Sequence, residues 1–413
     1  MRKKVKYFIG FLILFLCSAC TEYFEVLDRV SIDYELLRPD VIDTDDKLVV
    51  LNIAVDSSEF SHMYTYYNEE IEIYGTLSVF RNKALIFSSE NARFKVKGRA
   101  SRAYPLKSLG IRFEKPECNR SRSIIRPQSI NDLHNIDLIQ SLRLRNSGND
   151  FMSDRNATLI KDISYTRLAV EANLNIDLMY SEQAVVFLNN SFLGLMNLRT
   201  ESTARAIAHK YKVNPDDITL AKVTLAEVEV QNGNYDRVMS LLQAIENKNL
   251  NFLYSQIDID NFIDYVVYNT YIANTDWPHN NIKFFATDTS KFRFFMFDLD
   301  YANYSHHNRT PLQILERVTK NPITDLFLLF YEDESFRKLF YQRFAELLES
   351  EKINQQHFQI IVERHYENIK AYMPYHIAKY QHPPTLAEWY KNVALLQTYF
   401  AKREQYIKKI VLK

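Results

Sequence analysis

Two short stretches hold the side chains best suited to chemistry. One is Asn274-Thr275-Asp276-Trp277-Pro278-His279-Asn280-Asn281, and the other is Phe297-Asp298-Leu299-Asp300. Together they read Asp-x4-Asn, then two aromatic-rich segments, then Asp-x-Asp. Phosphoryl-transfer enzymes use this layout for a catalytic carboxylate and two metal ligands. An Asn and Asp cluster suits Mg2+ or Mn2+, hard cations that take oxygen donors and share them with phosphate. The plainer reading is that Asp and Asn after a helix are loop residues, and that Asp-x-Asp at a strand end is a solvated turn.

The elements around these residues decide whether they meet. Residues 258–273 keep Phe262, Val266, Tyr268 and Ile272 near helical spacing, with Asp258 or Asp260 as cap, and Pro278 blocks continuation. The segments IKFFATD and KFRFFMFD that follow predict a β-hairpin. A two-residue Thr289-Ser290 turn, or a four-residue loop over 288–291, places Asn281 directly across from Asp298, with Cβ atoms about 5 Å apart. Asp300 then points the same way as Asp298, because strand side chains alternate. A loop of odd length shifts this register by one residue and turns Asn281 to the opposite face. Trp277 reads as an apolar plug beneath the loop.

The N-terminus has the pattern of a secretory signal: Arg2, Lys3, Lys4 and Lys6, an apolar run over 7–16, then Cys17-Ser18-Ala19 before Cys20. The apolar run is short for a spanning helix. It resembles a bacterial lipoprotein signal with cleavage before a lipid-modified Cys20, although Cys17 makes the cleavage motif imperfect. Residues 1–19 are then the signal peptide, 20–46 an acidic tether, and 47–413 one body in the bacterial cell envelope, lipid-anchored to a membrane. After such cleavage only Cys118 is left as a second thiol, so stability has to come from the core. With 46% hydrophobic and 14% aromatic residues, the chain has the means. Its 51 basic and 51 acidic residues balance, and loss of the four signal-region cations leaves 47 against 51. That excludes a basic nucleic-acid footprint.

Strand patterns at 47–56, 70–80, 84–88, 93–97, 107–113 and 141–145 make the first part mostly β. A helix capped by Ser153 or Asp154 and running to about Leu174 follows, then a hairpin over 183–200 turned by Asn189-Asn190. Asp236 to Lys248, 311–318, 324–331, 333–350, 354–372 and 385–411 read as helices. The class is α+β, β-rich first and helical after.

Four segments, in order, resemble the CotH kinase family, the spore coat protein H-like atypical protein kinases. They are Lys97-Gly98-Arg99-Ala100-Ser101-Arg102-Ala103-Tyr104-Pro105-Leu106-Lys107-Ser108; Leu144-Arg145-Asn146-Ser147-Gly148-Asn149-Asp150 with Arg155 and Asp162; Val186–Gly194 leading to Leu198-Arg199-Thr200-Glu201; and the two stretches above. The resemblance implies a two-lobed kinase-like fold, ATP, a divalent metal, and transfer of the γ-phosphoryl group to Ser or Thr of a protein substrate. It puts the catalytic carboxylate at Asp276 and metal ligands at Asn281 and Asp298; Asp300, on the same face as Asp298, is the third metal-ligand candidate. Arg99 and Ser101 fall on the phosphate loop, where the family commonly has small residues, Lys107 on the phosphate-binding lysine, and Glu201 on its partner. Arg145 and Asp150 read as structural or peripheral. The alternative from another class is a non-catalytic surface-binding or structural module on the same fold.

The anchor is directly testable. Cys20→Ser should release the protein from the membrane fraction into the soluble one, as read by immunoblot of fractionated cells. A full-length chain that stays membrane-bound would point to an uncleaved anchor.

Overall fold

The computed structural model describes residues 37–118, 138–152, 156–225, 227–303, 307–317 and 321–412. The signal segment, Cys20, Ser153, Asp154 and Arg155 lie outside the described residues.

Apolar alternation in the first half produces strands that close on themselves. These are β1 (Val49–Val55), β2 (Glu72–Arg81), β3 (Ala84–Lys97), β4 (Ser108–Cys118) and β5 (Leu138–Arg145), joined by β7 (Ser181–Leu188) and β8 (Ser191–Thr200). They form a closed barrel in the order β1-β2-β3-β4-β5-β8-β7, antiparallel except where β1 meets β7. The two strand signals read at 84–88 and 93–97 are one long strand. The β7–β8 turn is Asn189-Asn190, both at positive φ, as a tight hairpin turn requires. Asn189 and Asn190 also bond back to Val55 and Asn52, which fastens the β1–β7 seam.

Strand alternation sorts the barrel side chains. Leu109, Ile111 and Phe113 of β4 and Leu142 and Leu144 of β5 are buried in the barrel core. The residues between them, Gly110 and Arg112 on β4 and Arg143 on β5, line a cleft on the outer side. Arg145 follows Arg143 in the same alternation.

A second sheet, in the order β10-β9-β11-β12-β6, faces that side. It contains β6 (Asp177–Leu178), β9 (Ile218–Thr224), β10 (Glu227–Asn232), β11 (Ile282–Thr287) and β12 (Arg293–Met296). The helix Ile259–Tyr271 packs against β12 and is buried from Asn261 to Tyr271. Asp258 caps it. The expected helices of the second half appear at Tyr235–Glu246, Pro311–Leu315, Pro322–Glu332, Glu334–Glu349, Gln355–Ile369 and Leu386–Val411. The fold is α+β, with a β-rich N-terminal half and a helical C-terminal half.

Three sequence expectations change. The helix expected to start at Ser153 or Asp154 begins at Lys161, and Asp150 receives the Thr158 and Lys161 amides in place of a local cap. Strands β9 and β10 and the helix Ala204–Tyr211 were not read from the sequence; β10 is an edge strand with no buried residue among those described, so its apolar pattern is faint. Leu37 and Ile42, at the end of the segment read as a tether, are buried in the main core, and Tyr372 donates to the Asp43 carbonyl at 2.6 Å.

Two buried histidines join the halves. His365 Nδ1 meets Ser164 Oγ at 3.0 Å, and His376 Nδ1 accepts the Leu195 amide at 3.1 Å. Burial pulls both down to about 3. Unfolded, each would protonate near 6.5, so their contribution is complete above that pH and is lost as pH falls from about 6.5 toward 3. The loss should be about 1.4 kcal/mol per pH unit for each histidine. Urea midpoints should therefore drop between about pH 7 and about pH 5, and the double variant His365→Gln/His376→Gln should show a smaller drop.

Candidate active site

The segment after the helix Ile259–Tyr271 is held on every side. Asn274 Nδ2 bonds Asn269 Oδ1 at 3.0 Å, and Thr275 bonds the Tyr301 carbonyl. Trp277 is the plug its position suggested, fully buried, with Nε1 on the Tyr265 hydroxyl at 2.9 Å. Arg317 donates to the Thr275 and Trp277 carbonyls, and Asn321 to that of Pro278. Backbone polar groups that would be orphaned by this burial are thus paired, and the loop has little freedom left.

Asp276 projects from this loop, with its side chain 20% exposed. Its Oδ2 accepts Asn281 Nδ2 at 2.6 Å and Asn280 Nδ2 at 3.2 Å, and its Oδ1 lies 3.3 Å from His279 Nε2. Burial raises its pKa above the ordinary aspartate value, and the nearby Asp298 charge adds to the rise, against His279, Asn280 and Asn281. Asn281 donates through Nδ2, and its Oδ1 accepts no hydrogen bond among the described residues.

The expected cross-strand pairing of Asn281 with Asp298 does not occur. The hairpin pairs Lys283 with Phe295, Phe284 with Phe294 and Phe285 with Arg293, one residue out of the expected register. The connection is odd in length, because Ser290 turns back on Thr287 while Phe292 leaves the hairpin to bond Gln256. The strands also stop at Ile282 and Met296, and both Asn281 (φ 59°) and Asp298 (φ 63°) are left-handed. These turns, rather than strand pairing, aim the two side chains.

Beneath Asp298 lies Arg145. Its Nη2 bonds Asp298 Oδ1 and also Asp300 Oδ2 at 2.8 Å, and its Nε lies 3.2 Å from Asp162 Oδ2. Burial opposes the guanidinium charge, but Asp298, Asp162 and Asp300 outweigh it and keep Arg145 firmly protonated. Asp162 also pairs with Arg199 at 2.7 Å and accepts the Leu299 amide. Burial would raise Asp162, yet Arg199 and Arg145 hold it below the usual range. Asp300 is buried, its Oδ2 taken by Arg145 and the Asn149 amide. Burial and the Asp298 charge raise its pKa well above the ordinary value.

A cleft of about 720 Å³ separates the barrel from the second sheet. Lys97, Arg143, Glu201 and Lys283 line it, and Lys107 does not. Lys107 is buried and is the residue just before β4. Its Nζ is spent on the Arg102 and Tyr104 carbonyls at 2.6 and 3.0 Å, over the rings of Tyr64 and Tyr67. Arg99 is exposed, and Ser101 sits in a short 3-10 turn that Arg102 closes onto the Gly98 carbonyl. Glu201 pairs with Arg143 at 2.9 Å rather than with Lys107. Among the described residues the Lys97 amine has no hydrogen bond or ion pair; burial lowers its pKa, and Glu201 works against that fall.

The sequence model of the family described as CotH kinase protein matches residues 94–407. The chain belongs to the CotH kinase family. A search of curated proteins finds no match. Among solved structures the chain is similar to the Helicobacter pylori proinflammatory kinase CtkA, at 11% identity and a TM-score of 0.30 over 82% of this chain and 90% of that one. It is also similar to the Shewanella oneidensis MR-1 toxin–antitoxin system HipA, HipB and operator DNA complex, at 12% identity and a TM-score of 0.26 over 67% and 60%.

As a CotH kinase family member, the chain brings Asp276, Asn281, Asp298 and Asp300 to one place, with Arg99, Ser101 and Lys107 on a separate loop. Arg145, read above as structural or peripheral, sits against Asp298, Asp300 and Asp162, and Asp162 and Lys97 were quoted in the family segments without a site role. One signal was available. Gly110 interrupts strand β4, and a glycine in a strand marks a close approach; a Cβ there would meet the Lys97 side chain at 2.8 Å.

Gly148 is the second informative glycine. Its φ is +59°, and a Cβ would lie 2.3 Å from Asp300 Oδ2 and 2.5 Å from Arg145 Nη2. Gly148→Ala should cost at least about 1–2 kcal/mol for the left-handed backbone alone, as read from urea unfolding. Gly148→Asn relieves the backbone term but meets the same two atoms, so it should also destabilise.

Proposed function

We propose that this CotH kinase family member is an exported, lipid-anchored protein kinase that transfers the ATP γ-phosphoryl group to Ser or Thr of a protein substrate. The observation that carries the reading is Asp276. It is tied to Asn281 at 2.6 Å, close enough to Asp298 to feel its charge, and still partly open to solvent. A purely structural carboxylate has no need of a second, like-charged one beside it.

Each side chain then has a task. Asp276 orients the substrate hydroxyl and accepts its proton, and its raised pKa makes it a better base than a free aspartate. Asn280, Asn281 and His279 fix the direction of the carboxylate. Asn281 Oδ1 and Asp298 Oδ2 fit a divalent metal, since neither makes a hydrogen bond among the described residues. Mg2+ bound there would neutralise charge on the β- and γ-phosphates. Among the described residues no three His, Cys, Asp or Glu side chains form a cage, and Mg2+ in kinases uses only one or two protein ligands together with phosphate and water. Lys97, Arg143 and Lys283 give the cleft the cationic wall that a triphosphate needs. Lys283 is anchored on Ser202 at 2.8 Å, and burial brings it down to about 8.

Two substitutions separate these tasks. Asp298→Ala should weaken Mg2+-ATP binding itself, as measured by calorimetry. Asp276→Asn should keep most of that affinity while phosphoryl transfer from labelled ATP falls about 10²–10⁴-fold, the usual worth of a general base. A wild-type protein that binds no nucleotide would overturn the kinase reading and leave a non-catalytic binding module in its place.

A further inference from the structure

The guanidinium of Arg145 is the point where the barrel meets the candidate metal ligand. It comes from the last residue of β5 and reaches Asp298, Asp300 and Asp162, which lie on two other parts of the chain. We infer that Arg145 is a positioning residue for the metal: it holds Asp298 by one oxygen so that the other is presented to the cation.

Four observations carry this. The Arg145 contact to Asp298 uses Oδ1 alone. Asp298 Oδ2 makes no hydrogen bond among the described residues, and the side chain is 25% exposed, so one oxygen is fixed and the other is open. Asp298 lies outside any strand at φ 63°, so no ladder of backbone bonds sets its direction, and a side-chain partner has to do so. Finally, the arginine is itself immobilised. Asp162 Oδ2 forms an ion pair with its Nε at 3.2 Å, and Asp162 is held in turn by Arg199 and the Leu299 amide. Leu299 lies between the two aspartates, so the clamp closes on the segment that carries the ligand.

Only a guanidinium does this. Its planar fork reaches three carboxylates at once, whereas an ammonium is a compact point charge on a flexible stem. Gly148 supports the geometry by leaving out the Cβ that would occupy the space between Arg145 and Asp300. The inference rests on the kinase reading above, and it names a residue that acts through Asp298 without touching the metal or the nucleotide.

Partners that orient a metal-ligating carboxylate typically carry 10–100-fold in metal affinity. The test uses the whole mature chain with Mn2+ as probe, titrated by electron paramagnetic resonance with ATP present. Calorimetry of ATP in EDTA provides a metal-free readout, and circular dichroism melts monitor folding. Arg145→Gln should weaken Mn2+ binding about 10–100-fold and leave metal-free ATP binding within about twofold. Arg145→Lys should recover little of the loss, although the charge is restored. In an Asp298→Ala background, Arg145→Gln should add no further loss, since the two act as one unit. If Arg145→Gln does not fold, Arg145→Lys serves alone, and unchanged Mn2+ affinity in that variant defeats the inference. Mn2+ affinity in Arg145→Gln equal to or tighter than wild type defeats it too, and makes Arg145 a competitor of the metal or a bystander. Wild-type protein that binds ATP but no Mn2+ overturns the metal site itself, and wild-type protein that binds neither removes the kinase reading with it.

Discussion

The ionic cluster centred on Arg145 is the constraint on which the rest of the site depends. A guanidinium and the carboxylates of Asp162 and Asp300 are taken out of water together, which is costly unless the geometry is good and the remaining polar groups are paired. Here the pairing crosses the molecule. Arg145 belongs to the barrel, Asp162 to the helix Lys161–Glu171, and Asp298 and Asp300 to the segment after β12. Loss of any one partner leaves the others charged and buried, so the cluster fixes how the barrel sits on the second half. It also holds one oxygen of the partly exposed Asp298 carboxylate.

Asp276 reaches the same place by a different route. Its loop is fixed by apolar burial and backbone pairing: Trp277 fills the core beneath it, and Arg317 and Asn321 take up its carbonyls. Both routes end in partly exposed aspartates, and the Asp298 charge adds to the rise in the Asp276 pKa. Two carboxylates kept close in a partly dry setting are expensive to hold, and such costs are typically met at functional sites. Asp300 shows how position divides the roles. It is two residues from Asp298 and shares its arginine, yet it is buried with Oδ2 already committed, so it supports the cluster from below.

Much of the site was legible in the chain because its spacing is local. The Asp-x4-Asn stretch lies within one loop, and the observed Asn281–Asp276 bond needs only that loop to close. The helix cap at Asp258 and the Asn189-Asn190 turn are likewise short-range, set by backbone preferences that each residue carries with it, although the helix stops at Tyr271, before Pro278. The hairpin register was not legible. Turn residues at 288–291 allowed even and odd connections, and what chose the odd one was a contact of Phe292 with Gln256, thirty-six positions away in the chain. Lys107 misled for a related reason. Its motif position suggested phosphate, but it lies just before β4 with its amine spent on the Arg102 and Tyr104 carbonyls, and Lys97 on β3 lines the cleft.

What the sequence alone determined is the class of the fold, the family resemblance, and the identity of the oxygen-bearing residues, since these follow from periodicity, composition and motifs that each segment contains. What only the tertiary structure decided is which cations meet them. Arg145 and Asp298 are separated by 153 residues, and Arg143 and Glu201 by 58. Ion pairs at such separations are set when the barrel closes and the second sheet docks on it. No local preference encodes them, because their energy exists only after both surfaces have left water.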